Sequence, residues 1–596
     1  MNPGQERIDG SDFEEPMEVE VPVSALRKRD VDKLWNFLMY GCPRTTVHIP
    51  QNRDLEDKVV DVILRLIALG AGETVIDGIR KAATGHGKRD DSDHTLDDSP
   101  ATCLKYPVLY ALAVCIKSNN PATKKKAYDC LLEVCTIPSY LFLFLFLYYR
   151  MCLNEAAQIS EHPKKPSWPK SFRKTIKKWY TQFDPLKLAH LVTKYRSRYG
   201  WSHKKVLRLA HIGHDRVDSR GRGFVIKYIL SGLLEAKNTY DQDPDPKVTE
   251  VREYLEAVEY VRRFDYRKEE DGSEGLKTLL EKIKINELAW EHVQTYVLKS
   301  PLIWRTLLVT MPPLALIRNL SRLSYLGLLT PGSNEPTIEE RIVCERLQKR
   351  DALLAAKIHP MTILIAISRY TTGQNQRNKR WSINEAVRRC LWAAFCTSYE
   401  MFHPTGKNLL VALNINTRML CPVIASPALS SKMAAVAIAK IFHEVEGNQR
   451  VNCIKFDSSS EAVDMTRDVV TITETFPRVE GQTDFTVPFT YARNGGLNVD
   501  AFVILSDFVN DDQIGKLRRG LSDYCAQHVG RRIKLVIIGL TSTELSEVDP
   551  EGEENLLVVP GIDINSLRKV TDFIALELDN ENALYQMLQS LNIVTR

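Results

Sequence analysis

S-F-R-K-T-I-K-K-W-Y-T-Q-F-D-P-L-K-L-A-H-L-V-T-K-Y-R-S-R-Y-G-W-S-H-K-K-V-L-R-L-A-H, residues 171–211, decides how this chain is read. Asp184 precedes Pro185, and proline at the first helical position costs nothing, because its missing N–H has no partner there. The spacing predicts a helix from Pro185 to Tyr199. On it Lys187, His190, Lys194 and Arg198 fall on one stripe about 80° wide at 100° per residue. Leu188, Val192, Tyr195 and Tyr199 make a separate apolar stripe that faces a neighbour. Ser202 is placed to cap a second helix. There His203, Val206, Leu207 and Ala210 point inward, with Lys204, Arg208 and His211 alongside. A third helix from Ser171 carries Arg173, Lys174, Lys177 and Lys178 beside Trp179 and Tyr180.

The charge of this region is hidden in the whole. The chain has 596 residues, 80 Lys+Arg and 75 Asp+Glu, a net charge of only +5. Residues 161–230 hold 18 bases and 4 acids, net +14, so the remainder is net −9. Unpaired like charges on consecutive helices repel, which favours a bound polyanion. No helix-turn-helix, zinc-finger or basic-zipper signature points to duplex DNA. Interleaved Trp, Tyr and His suit unpaired bases, so RNA is the expected partner. The competing reading is a helical-repeat scaffold whose basic face meets an acidic protein.

Outward from this stretch the helical period continues. Val31, Leu34, Trp35 and Leu38, then Leu55, Val59, Ile63, Leu66 and Ile67, repeat it, and Gly41 and Gly70 end the two runs. Ser300-Pro301 marks another helix start. The run Tyr140–Tyr149 is too short to span about 30 Å of hydrocarbon and reads as a buried helix or strand, with no membrane segment. Many short helices from 24 to 403 predict a mainly α fold, an α-solenoid of HEAT type. Residues 1–23 are net −6 and read as a disordered acidic tail, and Thr84–Pro100 as a loop.

After Pro404-Thr405-Gly406-Lys407 the pattern changes. Apolar runs at Leu409–Leu413, Val451–Phe456, Ala501–Leu505 and Ile533–Leu540 alternate with helical stretches at Met433–Glu444 and Asp512–His528. That predicts a parallel α/β domain over 404–596, with any site at the carboxyl ends of the strands: Asn414–Arg418, Asp457, Asp507 and Thr541. No P-loop, H-E-x-x-H or G-x-S-x-G motif is present, so no enzyme activity and no cofactor is expected. The twelve cysteines form no C-x-x-C pair and the acidic N-terminus is no signal peptide. The expected location is the cytoplasm, with the nucleus second.

Phe172-Arg173-Lys174, Val192-Thr193-Lys194-Tyr195, Gly200-Trp201-Ser202-His203-Lys204 and Leu207-Arg208-Leu209-Ala210-His211 resemble the core of the TROVE module of the Ro autoantigen ribonucleoproteins. The likeness extends to Leu34–Gly41, Val134–Pro138, Tyr254–Glu259, Met311–Leu320, Ile358-His359-Pro360 and Pro404–Lys407. It implies a HEAT-like helical ring completed by a von Willebrand A-type (Rossmann-like) domain. It implies a monomeric protein that binds small noncoding Y RNA on the outer basic surface. It also implies binding of misfolded noncoding RNA by single-stranded ends in the central hole, for RNA quality control. Lys194, Arg198 and His211 match the family's Y-RNA contact positions. The A-type domain departs from its pattern: where D-x-S-x-S opens a divalent-metal (Mg²⁺) site, this chain has Asn414-Ile415-Asn416-Thr417-Arg418. Thr483 and Asp507 still match later ligand positions. Without the anchoring carboxylate, and with Arg418 present, metal binding is expected to be poor, with Arg418 paired to Asp507 or Asp484 in place of the cation.

Overall fold

The computed structural model describes most of residues 30–38, together with 53–84, 105–159 and 168–575. Within the last span, 269–272, 332–334, 542–554, 562–563 and a few isolated positions are left out. The acidic tail and nearly all of the Thr84–Pro100 loop lie outside the described residues.

Helices fill the first part of the chain. They are α1 (Arg53–Ala68), α2 (Gly72–Thr84), α3 (Lys105–Lys117), α4 (Pro121–Val134), α5 (Pro138–Ile159), α6 (Lys170–Thr181) and α7 (Pro185–Lys194). A two-stranded hairpin, β1 (Ser197–Arg198) and β2 (Trp201–Ser202), leads into α8 (His203–Leu209). Then come α9 (Arg220–Ser231), α10 (Leu233–Thr239), α11 (Pro246–Arg263), α12 (Glu274–Ile285), α13 (Pro301–Leu308) and α14 (Pro313–Tyr325). The last four are α15 (Ile338–Gln348), α16 (Arg350–Ala355), α17 (Pro360–Thr371) and α18 (Glu385–Thr397). Each packs on partners one to four helices along the chain: α4 on α6, α7 on α9 and α11, α14 on α17, α15 on α18. Such local stacking is what a solenoid produces, because no single helix pair can bury its own apolar face.

Local chemistry explains the starts. Asp184 accepts from the Leu186 amide (3.0 Å) with Pro185 behind it, and Asn120 and Asp245 cap helices that also open on proline. Ser300 precedes Pro301 as predicted but caps nothing. Its hydroxyl accepts from Tyr266 Oη (2.9 Å), a tertiary bond that local sequence cannot reveal. The Tyr140–Tyr149 run is helical, inside α5, and largely buried, and no helix among the described residues is long and apolar enough to cross a membrane.

The C-terminal part is a six-stranded sheet. Its strands are β3 (Leu409–Asn414), β4 (Val451–Phe456), β5 (Ser460–Ala462), β6 (Ala501–Ser506), β7 (Lys534–Gly539) and β8 (Leu556–Pro560), in the order β5-β4-β3-β6-β7-β8. All pairs are parallel except β4 with the short edge strand β5. The predicted all-parallel sheet is therefore mixed, and β5 and β8 were absent from the prediction. The helices are α19 (Ser431–Glu446), α20 (Val469–Glu474), α21 (Val487–Asn494), α22 (Asp511–Cys525) and α23 (Ile564–Ala575).

Strand alternation divides the core. Leu409, Val411 and Leu413 join one cluster, Leu410 and Ala412 another. The first continues without a break through α19 into the helical part, as far back as Val31, so the two parts share one apolar core. The chain crosses from one side of the sheet to the other between β3 and β6. In open α/β sheets that switch point is where a site forms.

Candidate nucleic-acid interface

The basic stripe is built differently from its prediction. α7 stops at Lys194, because Tyr195 leaves the helical region (φ −106°, ψ 71°) while its amide still bonds Leu191 O (3.0 Å). Arg198 is therefore not on the helix. It sits on β1 opposite Trp201, and Tyr199 (φ 52°) and Gly200 (φ 74°) make the two-residue turn. Two consecutive positive-φ residues are what a tight type I′ hairpin demands, and the Tyr-Gly dipeptide was the missed signal. The hairpin foot is pinned by Trp201, whose ring lies 5.9 Å from Trp168 and 5.7 Å from Tyr149.

The second row holds as predicted. Ser202 accepts from the Lys205 amide (3.4 Å) and caps α8. His203, Val206, Leu207 and Ala210 are buried, whereas Lys204, Arg208 and His211 are exposed. His211 closes α8 in the left-handed region (φ 54°), with the Ile212 amide on Leu207 O (2.9 Å), a Schellman-type end. Glycine suits that backbone better than histidine does. His211→Gly should therefore leave the thermal midpoint unchanged or slightly raised, so that any loss of ligand affinity reports the imidazole alone.

Lys187 is exposed on α7, and Lys194 is half-buried at its end, its ammonium 5.4 Å from the Tyr195 ring centre. The Arg198 guanidinium lies 5.9 Å from the Tyr199 ring, which is itself 46% exposed at the hairpin tip. Among the described residues none of Lys187, Arg198, Lys204, Lys205 or Arg208 makes an ion pair. Arg173 and Lys174 stand apart on α6, whose Phe172 packs on Trp168, itself against Trp201, one aromatic layer from the hairpin.

Several predicted stacking groups are core. Trp179 and Tyr180 are wholly buried, and Trp201 and His203 nearly so. His190 does not extend the cation row: its Nδ1 is 3.2 Å from Tyr254 Oη and its ring 5.6 Å from His292. The aromatic surface left for a ligand is Tyr199, with part of Tyr195. Sequence reasoning also passed over Arg196 and Arg263, which with Lys204 and Arg262 border a cavity of about 430 Å³ behind the hairpin. Burial pushes the His203 imidazole down to about 4 and that of His292 to about 3, so both are neutral struts.

At the sheet's carboxyl edge Asn416, Asn414 and Asp507 are joined by hydrogen bonds through Ser506, and Thr483 is held separately by Asp457. Asn414 donates to Ser506 Oγ (2.9 Å) across the switch point and accepts from the Asn416 amide (2.9 Å). Asn416 donates to Gly481 O (3.0 Å) and accepts from the Arg418 amide (3.1 Å). Thr483 donates to Asp457 (2.7 Å), and Ser506 to Asp507 (3.1 Å). Each amide oxygen already accepts one backbone N–H, and a neutral amide stands at Asn414 where a carboxylate would anchor the ion, so this donor set fits Mg²⁺ poorly. The Arg418 pairing is corrected. Arg418 is exposed and forms no ion pair among the described residues, because the turn after Asn416 carries it outward. Millimolar Mg²⁺ is expected to shift the thermal midpoint by less than about 1 °C, since only a bound ion stabilises the folded state.

The TROVE domain family matches residues 102–440, more than half of the chain, and the Ro60 vWA domain family matches 408–574. The chain belongs to the Ro60/TROVE family of RNA-binding proteins. Relatives in this family include the RNA-binding protein RO60 of Caenorhabditis elegans, 26% identical over 520 residues, 78% of each chain. RO60 of Deinococcus radiodurans is 29% identical over 476 residues, 78% of this chain and 81% of that one. The crystal structure of the Deinococcus Ro (Rsr) protein superposes with a TM-score of 0.70 at 26% identity, over 92% of this chain and 99% of the other. A mainly helical TROVE domain followed by a vWA domain is thus the family architecture.

Proposed function

We propose that this protein binds small noncoding Y RNAs on the face formed by α7, the β1–β2 hairpin and α8. We further propose that it receives the single-stranded ends of misfolded noncoding RNAs in the hole of a helical ring. Lys194, Arg198 and His211 are the principal contacts, with Lys187, Lys204 and Arg208 around them and Arg173 and Lys174 at the margin. It acts without catalysis, as a monomeric ribonucleoprotein component in RNA quality control, in the cytoplasm and secondarily the nucleus. The observation that carries this reading is the pair of exposed cation rows flanking an exposed tyrosine, with no acid paired to Arg198, Lys204, Lys205 or Arg208 among the described residues. Phosphates suit such a face, and the tyrosine suits a base or ribose. Crosslinking in cells followed by sequencing of the attached RNA tests the assignment. Recovery of Y-like RNA supports it, and recovery of none favours an acidic protein partner.

A further inference from the structure

The cavity of about 430 Å³ behind the hairpin lies wholly within the TROVE domain. Residues of α7, α8, α9 and α11 line it, and Gly232 and Leu233 complete the wall. Four cations border it, Arg196, Lys204, Arg262 and Arg263, against one acid, Glu259. That carboxylate is already engaged. It accepts from Tyr228 Oη (2.6 Å) and pairs with Arg263 (3.3 Å) and Arg262 (3.6 Å). Arg262 also donates to Tyr228 Oη (3.1 Å) and to Thr193 O, so it is fixed in the wall. Arg196 and Lys204 are exposed and make no ion pair among the described residues. Burial pushes the Tyr228 hydroxyl up, with Glu259 adding to it, while the charges of Arg262 and Arg196 pull against both. The Arg196 guanidinium is thus close enough to the cavity wall to act on it.

The lining offers charge without a stacking face. Its aromatic groups are the buried His203 and the half-buried Tyr228, whose hydroxyl is committed to Glu259 and Arg262. A base gains little there, whereas the excess of cations suits a phosphate. An internal phosphodiester carries a single negative charge, and a phosphate monoester carries about 1.5 to 2 at pH 7. Two cations without an acid, beside two that share one, favour the more highly charged group. Guanidinium forks match its oxygens, and charged hydrogen bonds of this kind are the strong ones. The volume lies in the range of ligand pockets, about 300–1,000 Å³. Gly232 (φ 94°) has no heavy atom within 4 Å of the place a Cβ would take, so the backbone there is open to a ligand. The cavity also adjoins the interface above, because Arg196 lies between Lys194 and Arg198 in the chain and Lys204 stands in the first turn of α8. We propose that it binds a terminal phosphate monoester, held by Arg196, Lys204 and Arg263, as the 5′ end of an RNA or a free nucleotide supplies it. The RNA source rests on the reading of the preceding subsection, and the nucleotide source does not.

The test uses the full chain and one small structured RNA, labelled at its 3′ end and prepared with either a 5′-hydroxyl or a 5′-monophosphate. Adenosine monophosphate, with adenosine as its control, probes the free-nucleotide source by isothermal titration. Anisotropy should find the 5′-phosphate RNA about tenfold tighter than the 5′-hydroxyl RNA, the effect of one charged hydrogen bond. Arg196→Gln and Arg263→Gln, shown folded by circular dichroism, should each bring that ratio to about one, whatever they do to the hydroxyl form. A ratio that survives in both variants overturns the cavity as the site. Equal binding of the two RNAs, with adenosine monophosphate but not adenosine bound by the parent and lost in Arg196→Gln, assigns the site to free nucleotides. Equal binding without uptake of adenosine monophosphate overturns the proposal and leaves the RNA reading standing. Failure to bind the RNA in either form overturns that reading instead, and the adenosine monophosphate titration alone then decides the cavity.

Discussion

Replacing Lys194 and Arg198 together by alanine is expected to cut affinity for a small structured RNA by roughly tenfold to a hundredfold per side chain lost. A hydrogen bond from a charged donor contributes about 1.5–3 kcal/mol net, and each 1.4 kcal/mol is tenfold in Kd. The two residues stand on different elements, the end of α7 and strand β1, joined only by Tyr195 and Arg196. A merely structural defect would lower affinity without altering its dependence on salt. Loss of two phosphate contacts must also flatten that dependence, by about 0.7 per phosphate on single strands and about 0.9 on a duplex. Anisotropy titrations from about 50 to about 300 mM salt, over which the Debye length shortens by a factor of about 2.4, measure both quantities. An unchanged slope would remove this pair from the interface even if affinity fell. Arg198 needs the hairpin to hold its position, so its single variant should depend on Tyr199 and Gly200, whereas that of Lys194 should not.

Those two residues also show how far the sequence could be read. The helical period puts Lys187 and Lys194 on one face of α7, as the structure has them, with Lys187 exposed and Lys194 half-buried, because three- and four-residue spacing is a local property. It carried the helix on through Arg198, since nothing in K-Y-R-S-R breaks the period. The chain turns there because His203, from the next element, holds Tyr195 O (2.9 Å), and because Tyr-Gly adopts a turn that only a dipeptide signals. The burial of Trp179 and Tyr180 was equally hidden, as composition does not say which side of a basic helix its aromatics take. In the vWA domain the missing carboxylate at Asn414 was visible directly, and the strand ends converged as topology required. The direction of Arg418 was not visible, because a backbone turn capped by Asn416 sets it. The edge strand β5 is three residues long, too short for alternation to register.

Acid should destabilise this protein well before its carboxylates protonate, and the cause lies directly beneath the proposed interface. His203 Nε2 faces Tyr195 O, which can only accept, so Nε2 carries the proton and Nδ1 accepts from Tyr180 Oη (2.8 Å). His292 Nδ1 accepts from the Ala289 amide (3.1 Å), and Nε2 faces Thr193 Oγ1 (3.1 Å), whose own hydrogen goes to Ala189 O (2.7 Å). His203 is therefore fixed as a neutral tautomer, and a second proton at its Nδ1 would oppose a donor already there, whereas His292 Nδ1 also lies 3.2 Å from Ala289 O and is kept neutral chiefly by burial. Burial is the main reason His203 is held down to about 4 and His292 to about 3, with His190, Arg262 and Lys194 adding to the effect on His292. The unfolded chain takes up these protons at about pH 6.5 and the folded chain does not. Stability is therefore fully present above that value and falls as pH drops toward the folded-state values. At pH 5 the loss is about 2 kcal/mol for each histidine, at 1.36 kcal/mol per pH unit. Denaturant midpoints at pH 7.5, 6 and 5 measure it in a window where the salt-bridged carboxylates remain ionised. His203→Gln and His292→Asn variants should start less stable and lose less between pH 7.5 and 5. Equal slopes for parent and variants would refute the assignment. Because His203 and His292 flank Lys194 through Tyr195 and Thr193, acid should weaken RNA binding as it loosens this layer, opposite to the tightening that protonated surface histidines would bring.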